Sequence, residues 1–236
     1  MCDRFWSSPT GLCVASLMHL CPRVFHGTVE VHVAMNRRMT KRLFDLVFAV
    51  VLLVVLSPWL LIIGLMVAVT SPGGPFFRQA RVGLCGREFK LLKFRTMRPG
   101  SEAQGQLTIG GHDPRVTGVG YALRKTKLDE LPQIWNVLVG DMSIVGPRPE
   151  VPQYVALYSP EQREVLTVRP GITGMASIHH VDENEMLARS ADPEGTYIHE
   201  VMPAKLALDL RYIREQGFAL DLRIISATVK RVFFGW

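Results

Sequence analysis

Residues 43–70, LFDLVFAVVLLVVLSPWLLIIGLMVAVT, form an apolar run that exceeds the about 20 residues a helix needs to cross a bilayer core. Ser57-Pro58 lies near its middle. Because Pro58 has no N–H and its ring collides with the carbonyl of Val54, a helix should kink or break there. The Ser57 hydroxyl is available to bond a freed group. The run predicts either a kinked single-pass helix or a helix–break–helix that enters the membrane and returns.

Basic residues flank this run at both ends: Arg37, Arg38, Lys41 and Arg42 before it, and Arg78, Arg81, Arg87, Lys90, Lys93, Arg95 and Arg98 after it. The positive-inside rule places both ends on the cytoplasmic side, which favours the returning form. Such residues contact anionic lipid or a phosphate-bearing substrate. About half of them are equally well explained as a solvated basic face.

The composition is that of one domain with a membrane anchor. The chain has 236 residues, 48% of them hydrophobic, and a formal net charge of +6. None of its four cysteines forms a CxxC pair, so the sequence predicts neither a zinc site nor a disulfide framework. We expect no nucleic-acid partner.

The remaining segments predict an α+β fold that is mainly helical with a small β-hairpin. We divide the chain into an N-terminal extension (1–36) that is disordered or mis-annotated, a re-entrant membrane helix (37–72) and a cytoplasmic catalytic domain (73–236). Within that domain, residues 75–98 predict a hairpin with Gly83 and Gly86 at its turn. Further predictions are a helical stripe over 119–138 that Pro132 ends or bends, turns at 147–149 and 169–174, a helix over 203–216, and an amphipathic interfacial or core-packed helix over 218–236.

The polar residues that could carry chemistry gather between Arg115 and Glu150. Three cations, Arg124, Lys125 and Lys127, precede the pair Asp129-Glu130, and Arg148 follows between two prolines. Cations beside two carboxylates can hold a polyphosphate, and a carboxylate can ligate Mg²⁺ or attack phosphorus. Taken alone, however, an adjacent Asp-Glu pair is usually solvated, and a Pro-Arg-Pro segment is usually a turn.

In order along the chain, these segments resemble the bacterial sugar transferases, the monotopic phosphoglycosyl transferases. The resemblance rests on residues 113–150, DPRVTGVGYALRKTKLDELPQIWNVLVGDMSIVGPRPE, with Lys41-Arg42 and Ser57-Pro58 before them, KFRTM at 93–97, and RPGITG at 169–174. It covers roughly residues 37–234.

The resemblance implies a re-entrant helix broken at Ser57-Pro58 and a catalytic pair at Asp129 and Glu130. Asp129 would attack the β-phosphate of a UDP-sugar, release UMP and hold the phospho-sugar covalently. Polyprenyl (undecaprenyl) phosphate would then accept the phospho-sugar. Glu130 would act as metal partner or proton acceptor, and Mg²⁺ would sit at Asp129. Arg124, Arg148, Lys93 and Arg95 would contact phosphate or nucleotide.

The resemblance also implies a place in the cell. It points to the cytoplasmic face of a bacterial inner membrane, with membrane lipid as a partner, and to the initiation of exopolysaccharide, capsule, O-antigen or glycoprotein glycans. The sequence does not determine the oligomeric state, and a homodimer is compatible with it. The chain resembles the minimal catalytic form of the family. Its residues 175–187, MASIHHVDENEML, depart from the stretch that many relatives carry after the Gly-Ile-Thr-Gly turn, and this puts sugar or nucleotide recognition by that loop in doubt.

Two other functions are compatible with the sequence. A membrane-anchored basic module that binds lipid or an anionic partner would explain the basic flanks, but not Asp-Glu inside a cationic cluster. An inactive relative acting as a scaffold would explain the altered loop, but not the intact Asp129-Glu130 pair.

Overall fold

The computed structural model describes residues 28–101, 113–179 and 183–234. The chain divides into two units, Met1–Thr40 and Lys41–Trp236. Of the first unit, the structure describes the helical backbone of residues 28–40. Most of the N-terminal extension distinguished in the sequence therefore lies outside the described residues.

Helix α1 spans Thr28–Thr70 and contains the apolar run. Its helical backbone continues through Pro58, so α1 is one helix and not two helices separated by a non-helical break. The Ser57 hydroxyl donates a 2.8 Å hydrogen bond to the carbonyl of Val54. That carbonyl is the acceptor that the missing N–H of Pro58 would have used, so helical structure persists across the proline. The role expected of the Ser57 hydroxyl is confirmed.

One face of α1 packs against the other elements of the second unit. Ala49, before Pro58, shares a buried cluster with Leu91, while Ile63 and Val67, after Pro58, share another with Phe94. The opposite face is apolar and exposed, through Val47, Val50, Val51, Val54, Val55, Trp59, Leu61, Ile62, Leu65, Met66 and Val69. Within the described residues, Arg38–Thr70 is the stretch long and apolar enough to cross a membrane.

The antiparallel hairpin follows α1 as predicted. Strand β1 (Phe76–Val82) pairs with strand β2 (Glu88–Phe94), and a short 3-10 turn over Leu84–Gly86 joins them. Gly86 has a φ of +74°, a value that glycine adopts without strain.

Two short helices and a turn replace the single helical stripe expected over 119–138. Helix α2 spans Gly118–Lys125, a 3-10 turn covers Leu128–Glu130, and helix α3 spans Gln133–Val139. The chain leaves helical geometry at Lys127, whose φ is +58°, so the break precedes the one expected at Pro132. Pro132 instead lies at the start of α3, where its missing N–H costs nothing.

A second sheet forms from two segments that the sequence predicted as turns or short apolar pieces. Strand β3 (Ser143–Val145) pairs in parallel with strand β4 (Gly171–Thr173). The two backbones come so close that a Cβ at Gly171 would collide with the backbone of Gly146, and one at Gly146 would lie 2.5 Å from the carbonyl oxygen of Arg169. The glycines in GPRP and RPGITG therefore permit this pairing.

The C-terminal half is helical and completes the core. The helix predicted over 203–216 begins one residue earlier, at Met202, and ends at Glu215. The tail after it is also helical, as expected. The elements are α4 (Pro152–Val155), a 3-10 turn (Gln162–Thr167), α5 (Met175–His179), α6 (Glu183–Arg189), α7 (Pro193–Thr196), a π turn (Tyr197–Val201), α8 (Met202–Glu215) and α9 (Phe218–Phe234).

Helix α9 packs against the core on one side, as one of the two alternatives for the tail expected, and exposes apolar side chains on another. Asp221 and Ile224 are buried against the core, whereas Phe218, Leu222 and Val229 are exposed. Side chains at its last two residues lie outside the described set.

Buried polar contacts fix α1 to the core just after its N-terminal turns. The Asp45 carboxylate accepts hydrogen bonds from Ser143 Oγ (2.7 Å) and from the backbone N–H of Ile144 (3.2 Å). Lys41 Nζ lies 2.9 Å from Asp45 and 3.2 Å from Asp221, so a single ammonium joins α1 to α9. Removal of one partner would leave a buried charge uncompensated, which is strongly destabilising.

Arg42 closes the C-terminal end of α3. Its guanidinium donates to the carbonyl oxygens of Val137 (2.8 Å) and Leu138 (3.2 Å). The carbonyl of Val137 also accepts the N–H of Gly140 at the C-cap. A cation at this end of the helix opposes the negative end of the helix dipole. Lys41 and Arg42, expected as part of the membrane motif, thus dock the helix onto the protein.

Candidate active site

The pair Asp129-Glu130 lies on the 3-10 turn between α2 and α3. Lys127, at the start of this turn, has a left-handed backbone with a φ of +58°. A lysine in this conformation carries strain of about 1–2 kcal/mol. Strained backbone concentrates at functional sites, where it aims neighbouring side chains.

Glu130 is bound on both oxygens by cations. Lys93 Nζ lies 3.0 Å from Oε1, and Arg148 forms a two-pronged contact in which Nη1 lies 3.2 Å from Oε2 and Nη2 bonds Oε1. Burial alone would raise the pKa of Glu130, but Arg148 and Lys93 outweigh it and hold that pKa well below its usual value. Glu130 is therefore ionised at neutral pH.

Asp129 is buried and has no hydrogen-bond or ion-pair partner among the described residues, with only 6% of its surface exposed. Burial and the neighbouring charge of Glu130 raise its pKa, while Lys93, Arg124 and Lys127 oppose that rise. A buried polar group without a hydrogen bond is uncommon in proteins and calls for a functional explanation. This carboxylate is available to a ligand.

Arg124 approaches Asp129 from α2. Its Nε donates a 2.9 Å hydrogen bond to Thr96 Oγ1, and its charge acts on Asp129. This contact requires α2 to lie directly on the segment after β2, and a Cβ at Gly120 would collide with the backbone of Thr96. The TGVG sequence at 117–120 therefore serves close packing and helix capping, because Thr117 Oγ1 accepts the N–H of Gly120.

Arg148 reaches the site from the segment that follows β3. The pairing of β3 with β4 fixes this segment, and the carbonyl of Pro147 accepts the N–H of Gly171 at 2.8 Å. The charge of Glu130 raises the pKa of Arg148, which burial alone would lower. The Pro-Arg-Pro segment thus presents a guanidinium fork, but that fork is bonded to Glu130.

Three residues that the sequence analysis did not assign to the site support this segment. Arg81 Nη1 donates to Glu150 Oε1 and to the carbonyl of Pro149, both at 3.0 Å, while the Tyr197 hydroxyl donates to Glu150 Oε2. Burial is the first cause of a raised pKa at Tyr197, with Glu150 adding to it. Glu150 directly follows Pro149, so the sequence could have indicated that it supports the Pro-Arg-Pro segment. Arg81 and Tyr197 lie too far from that segment in sequence to be associated with it.

Arg95 is directed away from the acidic pair. Its Nε donates to the carbonyl of Gly74 (3.1 Å) and its Nη2 to that of Phe76 (3.0 Å), and the guanidinium lies over the ring of Phe77. Of the four cations expected to bind substrate, the structure gathers Lys93, Arg124 and Arg148 around Asp129-Glu130. Arg95 lines a separate groove.

The site combines a buried, unbonded carboxylate with an ionised carboxylate that anchors two cations. Such an arrangement can bind phosphate oxygens through Arg124, Lys93 and Arg148 and present Asp129 to phosphorus. Within the described residues no three or more His, Cys, Asp or Glu side chains cluster to form a metal cage. Mg²⁺ that is held by one carboxylate and substrate phosphates needs no such cage, and the unbonded Asp129 fits that requirement.

Comparison with known proteins identifies the family. The model of the bacterial sugar transferase family matches residues 36–235. The chain belongs to the bacterial sugar transferase family. The matched range agrees with the resemblance expected from the motifs.

Three curated relatives illustrate the range of this family. The UDP-glucose:undecaprenyl-phosphate glucose-1-phosphate transferase of Escherichia coli is 39% identical over 204 residues, which is 83% of this chain and 40% of that protein. The UDP-N-acetylgalactosamine-undecaprenyl-phosphate N-acetylgalactosaminephosphotransferase of Aeromonas hydrophila is 37% identical over 83% of this chain and 44% of that protein. The uncharacterized sugar transferase EpsL of Bacillus subtilis is 39% identical over 81% of this chain and 86% of that protein. The chain thus spans less than half of the first two relatives.

Proposed function

We propose that this bacterial sugar transferase moves a sugar phosphate from a UDP-sugar to polyprenyl phosphate, with Asp129 as the nucleophile. The observation that carries the proposal is the buried Asp129 carboxylate, which has no bonded partner among the described residues and faces three cations. Relatives named for UDP-sugar:undecaprenyl-phosphate phosphotransfer support the substrates.

The chemistry is a double displacement. An Asp129 oxygen bonds to the β-phosphorus of the UDP-sugar, the bond between that phosphorus and the bridging oxygen breaks, and UMP leaves with both electrons of the broken bond. A phosphate oxygen of the polyprenyl phosphate then bonds to the same phosphorus and displaces Asp129. The products are polyprenyl-diphosphate-sugar and the free carboxylate. The cations offset the charge that develops on the transferring group.

Glu130 positions cations in this proposal. Both of its oxygens are bonded and Arg148 and Lys93 hold its pKa low, which makes it a poor proton acceptor. It keeps Arg148 and Lys93 in fixed geometry, so that substrate phosphate meets them preorganised. The fork of Arg148 then serves Glu130 and substrate together.

Mg²⁺ is proposed as cofactor, with Asp129 as the protein ligand. Bound there, the ion would neutralise phosphate charge and polarise the diphosphate. Glu130 is less suited to be a second ligand because its oxygens are engaged by Lys93 and Arg148.

We further propose that α1 is re-entrant and bends at Ser57-Pro58, so that both of its ends lie at the cytoplasmic face of the inner membrane. Support comes from its packing: Ala49, before Pro58, and Val67, after it, belong to buried clusters that contain Leu91 and Phe94 of strand β2. A helix that spans the bilayer would carry its far end away from that domain. The exposed apolar face would then lie in one leaflet.

The central test is Asp129→Asn. We expect this variant, purified in detergent, to lose UMP release from UDP-sugar and to lose the covalent phospho-sugar adduct seen by intact-protein mass spectrometry. Asp192→Asn is the matched control, because Asp192 caps α7 through the N–H of Gly195 and asparagine caps equally well. Normal turnover in Asp129→Asn would refute the assignment of the nucleophile. A wild type that binds membranes but releases no UMP from a panel of UDP-sugars with Mg²⁺ would favour the non-enzymatic basic module instead.

Topology is tested by labelling cysteines placed at Arg38 and at Pro72 in intact cells. Both should resist a membrane-impermeant reagent added from outside and react after the cells are opened. Ser57→Ala with Pro58→Ala should favour a spanning helix and expose the N-terminal site. Outside labelling of one end in the unaltered helix would contradict the re-entrant arrangement.

A further inference from the structure

A groove opens where α1 ends and β1 begins, apart from Asp129 and Glu130. Its volume is about 410 Å³, and its walls are residues 73–75 with the side chains of Phe76, Phe77, Arg78 and Arg95. This volume lies in the range of small-molecule sites. None of the residues that the proposed chemistry places around Asp129 lines this groove.

Arg95 is built into the groove. Two of its donors are occupied by the carbonyls of Gly74 and Phe76, and Nη1 has no partner among the described residues. A Cβ at Gly73 would lie 2.8 Å from Arg95 Nε, so the guanidinium fits here because position 73 has no side chain. The guanidinium is thus held rigidly while one edge remains able to donate.

Arg78 supplies a second positive charge. It is exposed, and it forms no hydrogen bond or ion pair with any residue that the structure describes. Among the residues that the structure describes, no acidic side chain lines the groove. Two guanidinium groups without a carboxylate make a site for an anion, and phosphate oxygens match the planar fork of arginine.

The position of the groove favours a phosphate that is carried by a lipid. Its first residue, Gly73, is three residues after Thr70, the last residue of α1. Phe76 in its wall is exposed, and so are Met66 and Val69 near the end of α1. An anion bound here would therefore have apolar surface next to it, which suits a lipid headgroup and its chain.

The groove also lies beside the reaction centre along the chain. Arg95 lies two residues after Lys93 in the chain, so their Cα atoms are at most about 7 Å apart, although the Arg95 guanidinium is directed towards the carbonyls of Gly74 and Phe76. Lys93 itself bonds Glu130. Of the cations around Asp129-Glu130, Lys93 is therefore the one nearest to Arg95 along the chain.

We propose that the Arg78–Arg95 groove binds the phosphate headgroup of a membrane lipid, and that the acceptor polyprenyl phosphate is held there before it reaches Asp129. The lipid-phosphate site stands on the groove itself, whereas the acceptor assignment rests on the proposed function.

The first experiment measures binding without turnover. Full-length protein is placed in phosphatidylcholine nanodiscs that contain undecaprenyl phosphate or phosphatidylglycerol, and native mass spectrometry counts the retained lipid. Wild type should retain undecaprenyl phosphate, and Arg78→Gln should retain about tenfold less, as expected for loss of one charge-assisted contact. Arg87→Gln is the matched control: Arg87 is an exposed arginine at the other end of the same hairpin, outside the groove.

The second experiment measures kinetics. Arg78→Gln should raise KM for a short-chain polyprenyl phosphate about tenfold, with less than about a twofold change in KM for the UDP-sugar. Loss of phosphatidylglycerol retention alone would keep a lipid-phosphate site and overturn its assignment to the acceptor. Equal retention of both lipids by Arg78→Gln and Arg87→Gln would overturn the site. Lipid retention is measured without turnover, so it tests the lipid-phosphate site alone. UMP release tests the proposed reaction, and a failure of that reaction would therefore be distinguished from a failure of the site.

Discussion

The guanidinium of Arg148 donates two hydrogen bonds to the carboxylate of Glu130, from Nη1 to Oε2 at 3.2 Å and from Nη2 to Oε1. Two segments far apart in sequence, the turn between α2 and α3 and the loop after β3, are joined by this contact. The position of the Glu130 carboxylate therefore depends on the parallel pairing of β3 with β4, because that pairing fixes the segment that carries Arg148.

The first prediction concerns this fork. Arg148→Lys keeps the charge and loses the two-pronged geometry, so the cations around Asp129 are no longer preorganised. We expect phosphotransfer to fall by about 100-fold, as for the loss of one donor to a developing charge. The measurement is the rate of UMP release at saturating UDP-sugar.

The control for this substitution is Arg211→Lys. Arg211 pairs with Glu215 on α8, with side-chain exposures of 64% and 48%, and exposed pairs of this kind contribute little. Its activity should match wild type. Equal activities for Arg148→Lys and Arg211→Lys would contradict a positioning role for the fork.

The second prediction concerns the parallel pair β3–β4. Gly171→Ala forces a methyl group against the backbone of Gly146, which cannot move without breaking the strand pair. We expect destabilisation of about 3 kcal/mol, together with loss of activity because Arg148 is displaced. Thermal unfolding in detergent and UMP release measure the two effects.

Gly118→Ala is the comparison for Gly171→Ala. A Cβ at Gly118 would meet nothing within 4 Å, and the residue begins α2. Alanine there should be neutral or stabilising by about 0.5–1 kcal/mol. A melting temperature as high for Gly171→Ala as for Gly118→Ala would show that the close approach is not required.

Local signals in the sequence predicted the parts of the fold that depend on neighbours along the chain. The hairpin was predicted because Gly83 and Gly86 bracket its turn, and α8 because Pro203 and Gly217 mark its ends. Strands β3 and β4 were missed because each has three residues, too few for an alternating pattern to be visible. Their pairing is a tertiary contact that only the glycine positions hinted at.

The same distinction holds in the site. The sequence placed cations near Asp129-Glu130, but it assigned the Arg148 fork to phosphate, whereas the structure bonds it to Glu130. It also grouped Arg95 with Lys93, although their side chains serve different places. Residue type and spacing indicated a site with cations around two carboxylates. Which group each arginine bonds depends on how distant segments pack, and the sequence did not show that.

The third prediction concerns the left-handed residue before the acidic pair. Lys127 has a φ of +58°, where glycine is unstrained and alanine is not. Lys127→Gly should therefore unfold at a higher temperature than Lys127→Ala, with a difference of about 1 kcal/mol. Both variants lose the same charge, so the difference isolates the backbone. Equal melting temperatures for Lys127→Gly and Lys127→Ala would mean that the backbone at position 127 is not strained in the folded protein.

The last prediction concerns Asp209, which is buried on α8. Burial raises its pKa to about 7, although Lys205 and the N–H of Ala176 oppose the rise. Asp209 Oδ1 has no hydrogen-bond partner within the described part of the chain. An unfolded aspartate has a pKa of about 3.9, so the folded chain holds this proton more tightly. The stability that Asp209 contributes is complete below about pH 4 and is lost as pH rises to about 7.

Asp209→Asn removes this titration and keeps an oxygen that can accept the N–H of Ala176. Between about pH 5 and pH 7, the unfolding free energy of wild type should fall relative to the variant by about 2 kcal/mol. Thermal unfolding of both proteins in detergent, across this range and above it, measures the difference. The two curves should run parallel above about pH 8, where Asp209 is ionised in both states. Curves that are parallel from pH 5 onward would mean that Asp209 is already ionised in the folded protein, and that its environment is more polar than its burial implies.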